Sequence, residues 1–106
     1  MAPARTPRRF RGLETVDILG FEVPVAAGFA ARLLGLALLR RERVGDGLLI
    51  PGCRSVHTLG MRFPLDLLFL EAGGAVVALH REVGPARIVR CRAAAAVLEL
   101  PSAVCP

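Results

Sequence analysis

Residues 65–83 constrain the fold more than any other part of the chain. Residues 65–71, Leu-Asp-Leu-Leu-Phe-Leu-Glu, are almost wholly apolar, and a second apolar-rich run, residues 75–83, follows Ala72-Gly73-Gly74. Two such runs separated by a short glycine-rich break read as an antiparallel hairpin. The first run lacks the alternation of a half-buried strand, so it belongs at the centre of a sheet with both faces covered.

The other segments arrange themselves around that hairpin. Residues 13–19 and 21–26 flank Gly20 as a strand pair or one bent strand. From residue 28 the period changes: Phe29, Leu33, Leu36 and Leu39 recur at spacings of three and four, with Arg32, Arg40 and Arg43 on another flank. That pattern predicts an amphipathic helix over residues 28–39, weakened at Gly35 and covering one face of the sheet. Residues 48–50 start a further strand, and residues 55–59, 88–91 and 95–100 are strand candidates, although the alanine run at residues 93–96 reads equally as helix. The fold class is therefore α+β: a mostly antiparallel curled sheet or small partial β-barrel with one or two helices.

The chain has 106 residues, of which 54% are hydrophobic, enough for one domain to fold without disulfide staples. We divide it into a disordered basic leader, residues 1–12, and a single domain, residues 13–106. The longest apolar stretch, residues 23–39, contains Pro24, Gly28, Arg32 and Gly35, so it is no membrane span. Net charge is +5, but residues 1–11 hold four arginines and no acid, while the remaining residues hold ten arginines against nine acids. The body is nearly neutral, and Trp and Tyr are absent as stacking platforms, so nucleic acid is not favoured as a partner. Arg8-Arg9-Phe10 is followed by two acids in six residues rather than by an apolar export segment. Three cysteines, an odd number, argue against a disulfide framework and for a reducing, cytoplasmic setting.

Residues 52–70 gather most of the side chains with chemical options. The expected groove contains Cys53, Arg54, Ser55, His57, Met61 and Asp66 beside the central strand. A carboxylate inside a buried strand needs partners, so Asp66 is expected to meet Arg54, Arg62, His57 or backbone amides. Cys53, His57, His80 and Cys91 have zinc-ligand chemistry, but Cys-x-x-x-His is not a finger spacing and no Cys-x-x-Cys exists; no metal or cofactor is expected. Cys53, His57 and Asp66 have the residue types of a nucleophile, a base and its orienter. Their sequence proximity does not establish that geometry.

Several of these pieces occur together in a known pattern. Cys53-x-Ser55-x-His57-Thr58, Met61-x-Phe63-Pro64-Leu65-Asp66, the Gly73-Gly74 hairpin, Val97-Leu98-Glu99-Leu100-Pro101 and the earlier Arg32-Leu33-Leu34-Gly35-Leu36 together resemble the domain-of-unknown-function 192 family over about residues 13–101. The resemblance implies a small β-rich domain found in bacteria and archaea, and no established activity. Members of that family usually continue past the Leu-Glu-Leu-Pro element with a glycine and a further segment. Here Ser102-Ala103-Val104-Cys105-Pro106 follows instead.

The functional expectation is a non-catalytic binding or interaction module with a groove near His57 and Asp66, taking a small ligand or a protein. The alternative is a small hydrolase-like enzyme using His57 and Asp66, with Cys53 as a candidate nucleophile. An uncovered carboxy-terminal strand edge, or the helix at residues 28–39, further predicts a symmetric homodimer. The competing expectation is a monomer whose residues 101–106 cover that edge.

Overall fold

The computed structural model describes residues 6–102. Its centre is a four-stranded antiparallel sheet in the order β3 (Leu48–Pro51), β8 (Ala96–Pro101), β5 (Leu65–Leu70), β6 (Val76–Val83). The hairpin therefore forms as the sequence predicts, and β5 is an interior strand. Two further antiparallel ribbons complete the fold. One pairs β1 (Thr15–Ile18) with β2 (Phe21–Pro24), and the other pairs β4 (Ser55–His57) with β7 (Ile88–Arg90). The domain is predominantly β, and among the described residues its strands do not close into a barrel.

Alternation along β5 and β8 sends side chains into two separate cores. Leu65, Leu67, Phe69 and Val97 join Leu36, Leu48, Val56, Met61 and Val89 on one side. Leu70, Leu98 and Leu100 join Val23 on the other, beneath Val16, Ile18 and Phe21 of the β1–β2 ribbon. The molecule is thus layered: the β1–β2 ribbon, the central sheet, then the helix and the β4–β7 ribbon.

The helix is shorter than its period predicts. α1 spans Phe29–Leu34 and stops at Gly35, whose φ of 52° and ψ of −123° end the helical turn. The apolar pattern continues through Leu36, Ala37 and Leu39, which are buried, because turns rather than helix carry them into the core.

The segment expected as a disordered leader is corrected in part. Residues 8–10 form a three-ten turn with Phe10 buried in the main core. Arg9 reaches across to donate to the Gly35 carbonyl at 3.1 Å and the Ala37 carbonyl at 2.6 Å. These acceptors lie just past the end of α1, where helical carbonyls have no partner of their own. Residues 1–5 lie outside the described residues, as does Cys105.

The expected carboxy-terminal edge is also corrected. β8 has partners on both sides, β3 and β5, so it exposes no edge. The long edge strand is β6, which is interrupted twice. The pairing shifts between Leu65 and Leu67 and between Phe69 and Leu70, and Glu82 takes a φ of 54°. Bulges of this kind twist an edge away from further pairing. Among the described residues, no helix is long and apolar enough to cross a membrane.

If Arg9 anchors the turn after α1, Arg9→Ala should lower the unfolding free energy by ~1–2 kcal/mol, the worth of two partly buried hydrogen bonds. Urea unfolding measures this. An Arg8→Ala control, on an exposed side chain, should change it by less than ~0.5 kcal/mol.

Candidate functional site

The site is built where α1 ends against β3, β4 and β8. A small cavity of about 30 Å³ is walled by Arg32, Leu33, Leu34 and Gly35 from the helix end, Ile50 from β3, and Cys53, Ser55, Val56 and His57 from β4 and its approach. Glu99 of β8 also lines it. A wider, open trough of about 340 Å³ shares Arg32, Leu33, Ile50 and Cys53 with this cavity and extends towards Gly28.

Three of the six expected groove residues meet here: Cys53, Ser55 and His57. His57 is held at both ring nitrogens. Nδ1 accepts from the Leu59 amide at 3.3 Å, so Nε2 carries the proton and donates to the Leu33 carbonyl at 2.9 Å. The Cys53 thiol donates to the Ser55 carbonyl at 3.1 Å.

The other three residues go elsewhere. Met61 is buried in the main core. Arg54 lies in a separate surface groove with Arg92. Asp66 precedes Leu67 in β5 and so faces away from the Leu67 side of the sheet, to which Glu99 and the cavity belong. Its Oδ1 accepts from the Glu82 amide at 2.9 Å, and its Oδ2 stands 4.0 Å from the Arg81 guanidinium. Asp66 therefore pins the β6 bulge, the backbone-amide option among its expected partners, and shares no site with His57. His80, on β6, packs edge-on against Phe69. Among the described residues, no three His, Cys, Asp or Glu side chains gather as a metal site.

The residue that sequence reasoning missed is Glu99. It is 3% exposed, and in the sheet it stands between Leu48 and Leu67, both fully buried. The Leu36 amide offers its carboxylate one hydrogen bond, while Oε1 is buried without a partner. Burial pushes the Glu99 carboxyl up to about 7, and the Leu36 amide offsets this in part. The signal in the sequence was an acid in a strand otherwise made of Val97, Leu98 and Leu100.

Gly35 makes room for the Glu99 carboxyl and Gly47 for its main chain. A Cβ on Gly35 would stand 2.6 Å from Oε1, and one on Gly47 would collide with the Glu99 carbonyl oxygen. Gly35 also occupies a backbone region that side-chain-bearing residues avoid. The approach of the chain to Glu99 is thus built from both sides.

The architecture defines a small, layered, antiparallel β domain with a polar cavity at the end of a short helix. The sequence profile of the uncharacterized ACR family, DUF192, matches residues 12–105, and the chain belongs to this family. Among solved structures, the fold is similar to a proposed transcription regulator from Sinorhizobium meliloti 1021. That likeness has 27% identity and a TM-score of 0.67, covering 76% of this chain and 68% of that one. It is also similar in fold to a protein of unknown function from Novosphingobium aromaticivorans DSM 12444. There the identity is 22% and the TM-score 0.66, covering 97% of this chain and 83% of that one. No curated protein matches the chain.

Two measurements check the construction of the site. The folded value for Glu99 lies above the ordinary 4.5, so the native state holds this proton more tightly than the unfolded chain does. Its stabilising contribution is complete below that ordinary value and is lost as the pH rises through about 7, a fall on the order of 3 kcal/mol. Glu99→Gln cannot ionise and should flatten the stability profile between roughly pH 5 and 8. Identical slopes for the two proteins would show that Glu99 does not resist ionisation. Separately, Gly35→Ala should cost more than ~2 kcal/mol in urea unfolding, through backbone strain and collision with Oε1.

Proposed function

We propose that the domain is a non-catalytic binding module whose ligand site is the cavity and trough at the end of α1. The observation that carries this reading is the Glu99 carboxylate oxygen, buried at the cavity without a hydrogen-bond partner. Such a group is costly to bury, and a ligand or water donating to it would offset that cost. The cavity is large enough for a water-sized group, and the adjoining trough offers Leu33 and Ile50 as apolar walls. The ligand chemistry that fits is a small hydrogen-bond donor, such as an ammonium or hydroxyl group, on an apolar body.

The hydrolase reading lacks this kind of support. A general base needs a free ring nitrogen, and both nitrogens of His57 are occupied by main-chain groups. Asp66 serves the β6 bulge instead of orienting the imidazole.

Amide chemical shifts in a titration with n-butylamine, n-butanol and butyrate test the proposal. The amine and the alcohol should move the Gly35, Leu36, Ser55 and His57 signals together, and butyrate should not. Glu99→Gln should abolish the response to the amine. Shifts scattered over the surface, or an amine response unchanged in Glu99→Gln, would remove Glu99 as the anchor.

A further inference from the structure

Two residues of opposite kind line the cavity at the end of α1 and do not pair with each other. Among the described residues, Glu99 is the one acid and Arg32 the one arginine of its walls. Each is held in place by the main chain instead. Glu99 is fixed in β8 and takes the Leu36 amide. Arg32, exposed on the last turn of α1, donates from Nη1 to the Pro51 carbonyl at 2.6 Å. That bond sets the guanidinium at the end of β3, between Ile50 and Cys53, and both of these residues line the cavity and the trough. Its Nη2 lies beside the bare backbone of Gly52, where an added Cβ would stand 3.9 Å away. Among the described residues, Arg32 makes no ion pair and no other side-chain hydrogen bond, so Nε and Nη2 keep their donors.

Size separates the two spaces that these residues border. The cavity of about 30 Å³ admits one water-sized group, which is the size of an ammonium. Its walls bring the orphan Oε1 of Glu99 and also Ser55, whose hydroxyl makes no hydrogen bond among the described residues. The trough of about 340 Å³ has Leu33 and Ile50 as walls and no acid, so it suits an apolar chain. Arg32 borders both spaces. An anionic group seated on it therefore stands at their junction, next to whatever fills the cavity.

We infer that the site takes a free apolar α-amino acid, with its ammonium in the cavity on Glu99, its carboxylate on Arg32 and its side chain along the trough. This rests on the reading of the Glu99 cavity as a ligand site and names the class of ligand. The α arrangement follows from the junction. Ammonium and carboxylate leave the same carbon, one entering the cavity and the other meeting Arg32, while the side chain continues past Leu33 and Ile50. With Nη1 taken by Pro51, Nε and Nη2 form the side-on pair that a carboxylate accepts from in two parallel bonds. A simple amine leaves that pair unused, and a simple carboxylate leaves the Glu99 oxygen orphaned.

The test compares L-leucine with its two halves, 3-methylbutylamine, which lacks the carboxylate, and 4-methylpentanoate, which lacks the ammonium. The full chain is titrated with each at about pH 8, where the amines are still protonated. Glu99 has then passed the value of about 7 at which it gives up its proton. Amide chemical shifts of Gly35, Leu36 and Ser55 report binding. L-leucine should bind about tenfold or more tightly than either half. Arg32→Gln should bring leucine down to about the affinity of the amine and leave the amine within about twofold of its wild-type value, which also shows that the variant folds. Leucine binding to the wild type no more tightly than the amine would overturn the inference and leave the Glu99 site standing, whatever the variant does. Binding of 4-methylpentanoate as tight as that of leucine would overturn it by removing the ammonium contact. A response to neither leucine nor the amine would remove the Glu99 site and this inference with it.

Discussion

One buried carboxylate organises the middle of this domain. Glu99 sits in a row with Leu48 and Leu67 across three strands, on the face of the sheet that meets the helix. A group of that kind resists burial, so its surroundings must either satisfy it or keep it protonated. The chain does some of both. It brings in the Leu36 amide, and it leaves the second oxygen without a hydrogen-bond partner at a cavity wall. For Leu36 to arrive there, α1 must end at Gly35, and for the chain to pass so close, residues 35 and 47 must lack side chains. The early end of the helix frees carbonyls that it cannot satisfy. His57 takes that of Leu33 and Arg9 takes that of Gly35, so a strand and the amino-terminal turn are tied to the same point.

What the sequence made legible follows from this division. The strands could be read because their signals are local: apolar runs, glycine breaks and the change of period before residue 35. The Gly73-Gly74 turn defines the β5–β6 hairpin, and every other strand lies within a residue or two of its expected place. The end of α1 could not be read from periodicity, because Leu36, Ala37 and Leu39 are buried whether they continue a helix or turn away from it. Likewise Phe10 looked like part of a polar leader, since a lone aromatic among arginines gives no period to detect.

The site is less legible because neighbours in sequence need not be neighbours in space. Cys53, Ser55 and His57 alternate along one strand approach and do converge. Asp66 is only nine positions beyond His57, yet a single step along β5 separates the two faces of the sheet, and it falls on the wrong one. Glu99 is far away in sequence, and its pattern is that of one position in an apolar strand.

Asp66 and Glu99 together show what separates a structural carboxylate from a candidate binding one. Both interrupt apolar strands, and sequence pattern alone ranks Asp66 first. Asp66 has a backbone amide on one oxygen and an arginine near the other, and its place beside the β6 bulge accounts for both. Nothing about it asks for a further partner. Glu99 has one amide, an orphan oxygen and, at Gly35, a neighbour whose missing side chain leaves room beside that oxygen. If its role were only to join β8 to the helix end, a glutamine could make the same bond to Leu36 without the cost of burying an ionisable group. A carboxyl at this position makes sense where something enters the cavity to meet its second oxygen.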